Sequence, residues 1–217
     1  LNFLFNNSDN YVQNGIDVLK NIFKCQINLV SSKDSFLKKI DNVNHFSFNN
    51  LHPAGNVGIQ IHHIDPIKNA DDLRWYITVQ DVNRIGQYYS LKEYPNYKIA
   101  SIGGNGFNKP SYFKYIIGTS ILDIINNDYY NTSRFISGDI LSGEEINIEK
   151  SLNYYDEILT IVKTSDKRDF LGWLSPGFNK YSLTNTFLSK LFKKPFGYLD
   201  TKLNGSIRSI IPMGNWD

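Results

Sequence analysis

Apolar side chains recur at Val12, Ile16, Leu19, Ile22 and Phe23, a spacing that gathers them on one face of a helix. Ser8 or Asp9 is the candidate N-cap. The run Lys24 to Val30 predicts a strand, and Ser35 to Ile40 a short helical piece. From Phe46 to Pro66 the chain is rich in Gly, Pro, Asn and His and shows no clear period, so a long ordered loop is expected. Trp75 to Val79 alternates apolar and polar residues and predicts a strand. Asp81 is the expected cap of a short helix through Ile85, which Gly86 interrupts or ends.

The next stretch is the most regular. Tyr97 to Ile102 predicts a strand, Gly103-Gly104-Asn105-Gly106 a turn, and Pro110 to Ile117 a second strand. A helix carrying Ile121, Leu122, Ile124 and Ile125 follows, with Thr119 as its expected N-cap. Further strands are expected at Arg134 to Ser137, Ile158 to Lys163 and Phe170 to Leu174. Tyr181, Leu183, Phe187, Leu188, Leu191 and Phe192 predict an extended piece and a short helix, stopped by Lys193-Lys194-Pro195. Two strands, a helix and then more strands is the order of a β-grasp unit. The predicted class is therefore α+β, with a partial Rossmann-like α/β unit, a β-grasp domain and a small C-terminal extension. The expected boundaries are 1–50 for the end of the Rossmann-like domain and 51–96 for a His/Gly-rich connecting segment with a strand and a helix. The β-grasp domain takes 97–165, and the extension, read as truncated, takes 166–217. No internal repeat, low-complexity tract or long flexible linker interrupts this order.

Composition narrows the function classes. With 217 residues and 41% hydrophobic content the chain can bury a core. A formal net charge of +2 makes no electrostatic case for nucleic acid. The single cysteine, Cys25, excludes an internal disulfide and cannot supply an iron–sulfur or Cys-based zinc site. Flanked by Ile27, Leu29 and Val30, it reads as a buried strand residue. No stretch approaches the roughly 20 apolar residues of a transmembrane helix. Leu1 to Phe5 lacks the basic flank and cleavage site of a signal peptide. A start without Met and a stop at Gly214-Asn215-Trp216-Asp217 lead us to expect a trimmed domain.

Four candidate chemistries come into view. His52, His62, His63 and Asp65 carry good zinc or iron ligands. In an extended segment, however, the adjacent His62 and His63 point to opposite faces, so structural or partner contacts are favoured over a metal. Gly103-Gly104-Asn105-Gly106 follows a strand but leads to Pro110 and another strand. It therefore lacks the helix N-terminus that holds a pyrophosphate. Ser137-Gly138 and Ser142-Gly143 miss the Gly-x-Ser-x-Gly pattern of a nucleophile elbow. Trp75, Trp173 and Trp216 are able to stack on a flat ring such as a quinone, and core or interface packing explains them equally well. No catalytic residue and no metal site is assigned.

His-Pro-Ala-Gly-Asn-Val-Gly-Ile-Gln-Ile-His-His-Ile-Asp-Pro (52–66) resembles a segment of the peripheral, non-membrane subunits of the sodium-translocating NADH:quinone reductases, the NqrA family. Trp75 followed by Gln80-Asp81-Val82 and Ile85-Gly86, and Arg134-Phe135-Ile136-Ser137-Gly138 with Leu141-Ser142-Gly143, are similar to that family. So are Gly172-Trp173, Pro176-Gly177, Lys180-Tyr181-Ser182 and Pro212-Met213-Gly214, all in the family's order. Residues 1–50 fit in pattern only. The stretch near 97–164 also looks like the ligand-binding β-grasp domain called SLBB.

The resemblance implies a peripheral, cofactor-free subunit, of which this chain is an internal fragment. It would sit on the cytoplasmic face of the bacterial inner membrane, docked on the membrane-embedded B subunit, with no membrane span of its own. The complex would oxidise NADH, reduce quinone and export Na⁺, with its flavins and iron–sulfur centre in other subunits. Candidate quinone or partner contacts are His52, His62, His63, Asp65 and Trp75. The alternative readings are a stand-alone β-grasp module for a small ligand or glycan, and an electron-transfer subunit of the related Rnf type.

Overall fold

The computed structural model describes residues 11–163, apart from 33, 34, 50, 52, 127, 128, 130 and 132, together with 176–178 and 188–191. The chain divides into two compact units, Leu1–Asn96 and Tyr97–Asp217.

In the first unit the apolar stripe at helical spacing forms α1 (Val12–Phe23), which ends at Lys24 in the left-handed region (φ 49°), with the Lys24 N–H on the Lys20 carbonyl. Ser8 and Asp9 lie outside the described residues. The N-cap position belongs to Tyr11, whose side chain makes no capping bond. The strand expected at Lys24 to Val30 is shorter: β1 (Asn28–Ser31) pairs in parallel with β2 (Asn44–Ser47), Asn28 opposite Asn44. A 3₁₀ turn, Phe36–Lys39, lies between them, and the Ser35 hydroxyl accepts the Leu37 N–H. Val12, Ile16, Leu29, Leu37, Ile40 and Val82 form the core. Each such buried aliphatic side chain contributes roughly 1.5–3 kcal/mol. Cys25 falls outside the strand, where the chain turns away from the helix, and is exposed rather than buried.

Three further expectations for this unit are corrected. Residues 57–64, taken for loop, form α2 (Val57–Ile64). The glycines and β-branched residues of this stretch lower helix propensity and hide the turn periodicity. Trp75 to Val79 is not a strand, because Thr78 caps a helix there. Its hydroxyl accepts the Asp81 N–H (3.2 Å) and donates to the Asp81 carboxylate (3.3 Å). The helix, α3 (Val79–Leu91), runs through Gly86 instead of stopping there. Gly86 sits where α3 crosses α1, and the packing benefit outweighs the roughly 1 kcal/mol propensity penalty. Arg84, buried on α3, pairs with Asp81 (3.0 Å) and donates to the Pro95 carbonyl (2.9 Å).

The second unit contains a five-stranded sheet in the order β4–β3–β7–β5–β6. Its strands are β3 (Tyr97–Gly103), β4 (Ser111–Ile116), β5 (Ser133–Ser137), β6 (Glu144–Ile146) and β7 (Ile158–Lys163). β3 and β7 run parallel at the centre, and the other pairs are antiparallel. Strand β6 was not foreseen, since three residues carry no readable alternation. Helix α4 (Ile121–Ile125) is capped by Ser120, one residue after the expected Thr119. The Ser120 hydroxyl accepts the Asp123 N–H (3.2 Å) and donates to its carboxylate (2.6 Å), repeating the device at the start of α3. Ile121 and Ile125 pack with Ala100, Ile102, Leu159 and Ile161. Lys98, on the buried face of β3, is only 1% exposed. Its ammonium donates to the Tyr154 carbonyl (2.6 Å) and lies 4.5 Å from the centre of the Tyr154 ring.

The turn after β3 needs its glycines. Gly104 has φ +105°, and a Cβ there would collide with the Ile161 carbonyl. Gly106 N–H donates to that carbonyl (2.9 Å), and the Asn105 side chain accepts the Lys163 N–H (2.9 Å). The turn is thereby fastened to β7. Towards the C-terminus, Leu188–Lys190 forms a 3₁₀ turn whose Leu188 N–H reaches the Pro176 carbonyl. The strand expected at Phe170 to Leu174 and the extended piece from Tyr181 lie outside the described residues.

Candidate functional site

Helix α2 brings two of the predicted contact residues together. His62 and His63 occupy its last turn, both exposed, with ring centres 5.4 Å apart in an edge-on arrangement. Successive helical positions differ by about 100°, so the two rings are neighbours on the helix rather than on opposite faces of a strand. The His63 ring also stands 6.1 Å from Phe48, just beyond β2. Both imidazoles sit at the helix C-terminus. No side chain of α2 is buried, although Val57, Ile59, Ile61 and Ile64 are apolar. The Gln60 side chain anchors the preceding Pro53–Asn56 turn through the Ala54 carbonyl (3.0 Å).

Asp65 follows as the C-cap residue and reaches across the next loop to Arg74. One carboxylate oxygen lies 2.6 Å from Nε and the other 2.9 Å from an outer guanidinium nitrogen, a bidentate clasp. The hydrogen bond that the Arg74 guanidinium donates to the Asp65 carboxylate holds the guanidinium above its ordinary pKa. Inside the loop, Asp72 accepts the N–H groups of Lys68 and Asn69, which pulls its carboxyl below the usual range. The clasp delivers Trp75, which is 91% exposed, with Leu73, Tyr76 and Ile77 exposed on either side.

His62, His63, Asp65 and Trp75 therefore lie on one stretch of chain, ordered by Asp65 and Arg74. His52 lies outside the described residues. Arg74 and Phe48 were missed in the sequence. The Asp-x₈-Arg spacing of the clasp is not a recognisable signal, and Phe48 acquires its place only once α2 is known to be a helix. The arrangement is an open contact surface of rings and apolar side chains. Among the described residues no group of three or more His, Cys, Asp or Glu side chains is placed to hold a metal ion.

The second unit carries a separate open cavity of about 380 Å³ between α4 and the β3–β4 hairpin. Ile102, Phe107, Phe113, Ile124 and Ile125 line it, with Ser111 and Asn126 as polar groups. The Ser137 and Ser142 hydroxyls serve the fold. Ser142 donates to Asp139 (2.6 Å), and Ser137 to Asp156 (2.6 Å).

Known proteins with similar sequences account for both units. The family model described as the NqrA second alpha/beta domain matches residues 1–92, and the model described as the NQRA C-terminal domain matches residues 99–147. The chain belongs to the NqrA family. The NqrA protein of the Na(+)-translocating NADH-quinone reductase from Vibrio anguillarum is 32% identical over 206 residues. That match covers 94% of this chain and 46% of the relative. The NqrA protein from Mannheimia succiniciproducens is 31% identical over 206 residues, and that from Haemophilus influenzae 31% over 209. The chain thus spans about half the length of the curated NqrA relatives it matches. The NqrA assignment agrees with a mixed α/β unit followed by an SLBB domain. No helix among the described residues is long and apolar enough to cross a membrane.

Proposed function

We propose that the chain acts as part of the peripheral NqrA subunit of a complex that oxidises NADH, reduces quinone and exports Na⁺. The carrying observation is the match to NqrA relatives along 94% of the chain. In this reading the subunit works at the cytoplasmic face of the inner membrane and docks on the membrane-embedded B subunit. It binds no flavin or iron–sulfur centre itself. The exposed α2 turn with His62 and His63, the Asp65–Arg74 clasp and the Trp75 segment form the contact surface. An aromatic, apolar surface rimmed by polar groups is the composition that protein interfaces favour at their centres, and flat rings such as Trp75 are also suited to stack on a quinone. Co-purification from membranes tests the reading: the tagged protein is expected to bring down reductase subunits, and recovery without any of them sinks it.

A second reading is a small-ligand module, which the cavity beside α4 favours, since about 380 Å³ lies in the range of small-molecule sites. Calorimetric titration with quinone and glycan panels separates the two. Glycan binding without quinone binding selects the module.

A further inference from the structure

The second unit exposes an apolar patch that neither of these readings uses. Two loops build it, one after β5 and the other before β7. Leu141 is 63% exposed and Tyr155 83%, with Ile140, Tyr154 and Ile158 also open to solvent. The loops are cross-linked by polar contacts. Ser137, fully buried, donates to Asp156 (2.6 Å) and accepts the Asn153 N–H (3.0 Å). The Asn153 amide donates to Glu144 (3.2 Å), and Gly138 N–H reaches the Ile158 carbonyl (2.8 Å). Tyr154 and Tyr155 pack edge to face with ring centres 5.1 Å apart. These polar contacts brace the backbone that carries the exposed apolar groups.

Charge selects what such a platform accepts. Asp139 and Asp156 belong to the two loops and Glu144 opens β6; no Lys, Arg or His occurs in 138–148 or 153–158, and Arg134 of β5 is paired with Glu145 (2.8 Å). The ammonium of Lys98 reaches this region from inside, on the Tyr154 carbonyl, and is itself buried. An acidic apolar surface repels phosphate backbones and anionic lipid headgroups. It complements apolar groups flanked by cations, and exposed tyrosines are the side chains that anchor protein interfaces.

We propose that the rim formed by Asp139–Glu144 and Asn153–Ile158 is a docking surface for a protein segment presenting apolar side chains flanked by Lys or Arg. It rests on reading the chain as one component of an assembly, and it commits to a protein partner.

The probe is a synthetic amphipathic peptide of leucine and lysine, with counterparts in which every lysine is glutamate or glutamine. Binding to the 217-residue chain is followed by fluorescence anisotropy and mapped by amide chemical shifts. The lysine peptide is expected to perturb Ile140–Glu144 and Asn153–Ile158. Tyr155→Ala or Leu141→Ala is expected to weaken it about tenfold or more, the loss of an interface anchor. Ile22→Ala, in the other unit, is expected to leave the affinity unchanged, and the exposure of all three side chains keeps the variants folded. Equal binding of the glutamate peptide, perturbations mapping elsewhere, or vesicles of phosphatidylcholine and phosphatidylglycerol occupying the same residues would each overturn the proposal. Those failures leave the co-purification result untouched, so the two readings fall separately.

Discussion

Gly15 and Gly86 meet at the crossing of α1 and α3, and neither position has room for a side chain. A Cβ on Gly15 would strike the Val82 carbonyl, and one on Gly86 would strike the Tyr11 carbonyl and the Gly15 nitrogen. Backbone meets backbone, so nothing can rotate out of the way. The same crossing is fixed by Tyr11 N–H on the Asn83 side chain (2.9 Å) and by Asn14 on Ser90 (2.8 Å). Gly86→Ala gains helix propensity of about 1 kcal/mol and must still separate the helices, at a cost of roughly 1–3 kcal/mol or more. A lower midpoint of thermal unfolding is expected, and an unchanged or higher one would contradict the close crossing.

Ser137 ties the two loops of the second unit from a fully buried position. Ser137→Ala removes the donor to Asp156 and the acceptor for Asn153 N–H. Leaving those partners unsatisfied costs roughly 1–3 kcal/mol. Urea unfolding should shift its midpoint down without changing its slope.

The Asp65–Arg74 clasp is solvent-exposed on the carboxylate side, so its energetic share is small. A double-mutant cycle with Asp65→Asn and Arg74→Gln is expected to give a coupling below about 1 kcal/mol that shrinks with added salt. Its role is to place Trp75. Trp75→Ala should therefore leave stability within about 0.5 kcal/mol and reduce recovery of partner subunits in co-purification.

Asp139 responds to pH. The Ser142 hydroxyl, and then the N–H groups of Ser142 and Leu141, hold its carboxyl below the ordinary range. A folded-state value below the unfolded one means a contribution fully present above about pH 4 and lost as pH falls through the folded value. Titration of the Leu141 and Ser142 amides by NMR should show a midpoint below that of an unstructured aspartate. A midpoint at or above it would remove the basis for this acid sensitivity.

Periodicity revealed the elements that carry a one-sided apolar pattern. The stripe from Val12 gives α1, and the strand expected from Tyr97 to Ile102 is β3, although its buried face carries Lys98 beside Ala100 and Ile102. It failed at α2, where Val57, Ile61 and Ile64 recur at helical spacing but lie within a Gly-, Pro-, Asn- and His-rich run that argues for a loop. It failed again at Gly86, where tertiary packing overrides the local preference to end a helix. The candidate site shows the same division. His62, His63, Asp65 and Trp75 were visible as unusual residues. Their grouping was hidden, because it depends on α2 being helical and on an ion pair between Asp65 and Arg74 that has no sequence pattern.

The place of β7 in the sheet bears on how the polypeptide is made. Among the described residues it is the last strand of the second unit to be synthesised. It nevertheless lies between β3 and β5, and it joins the β3–β4 hairpin to the β5–β6 hairpin. Until Ile158–Lys163 has left the ribosome, the nascent chain holds two hairpins without the strand that links them, each displaying an unpaired edge. Closure of this sheet must then come late and all at once, and a nascent chain stalled before Ile158 would offer those edges to chaperones or to other chains.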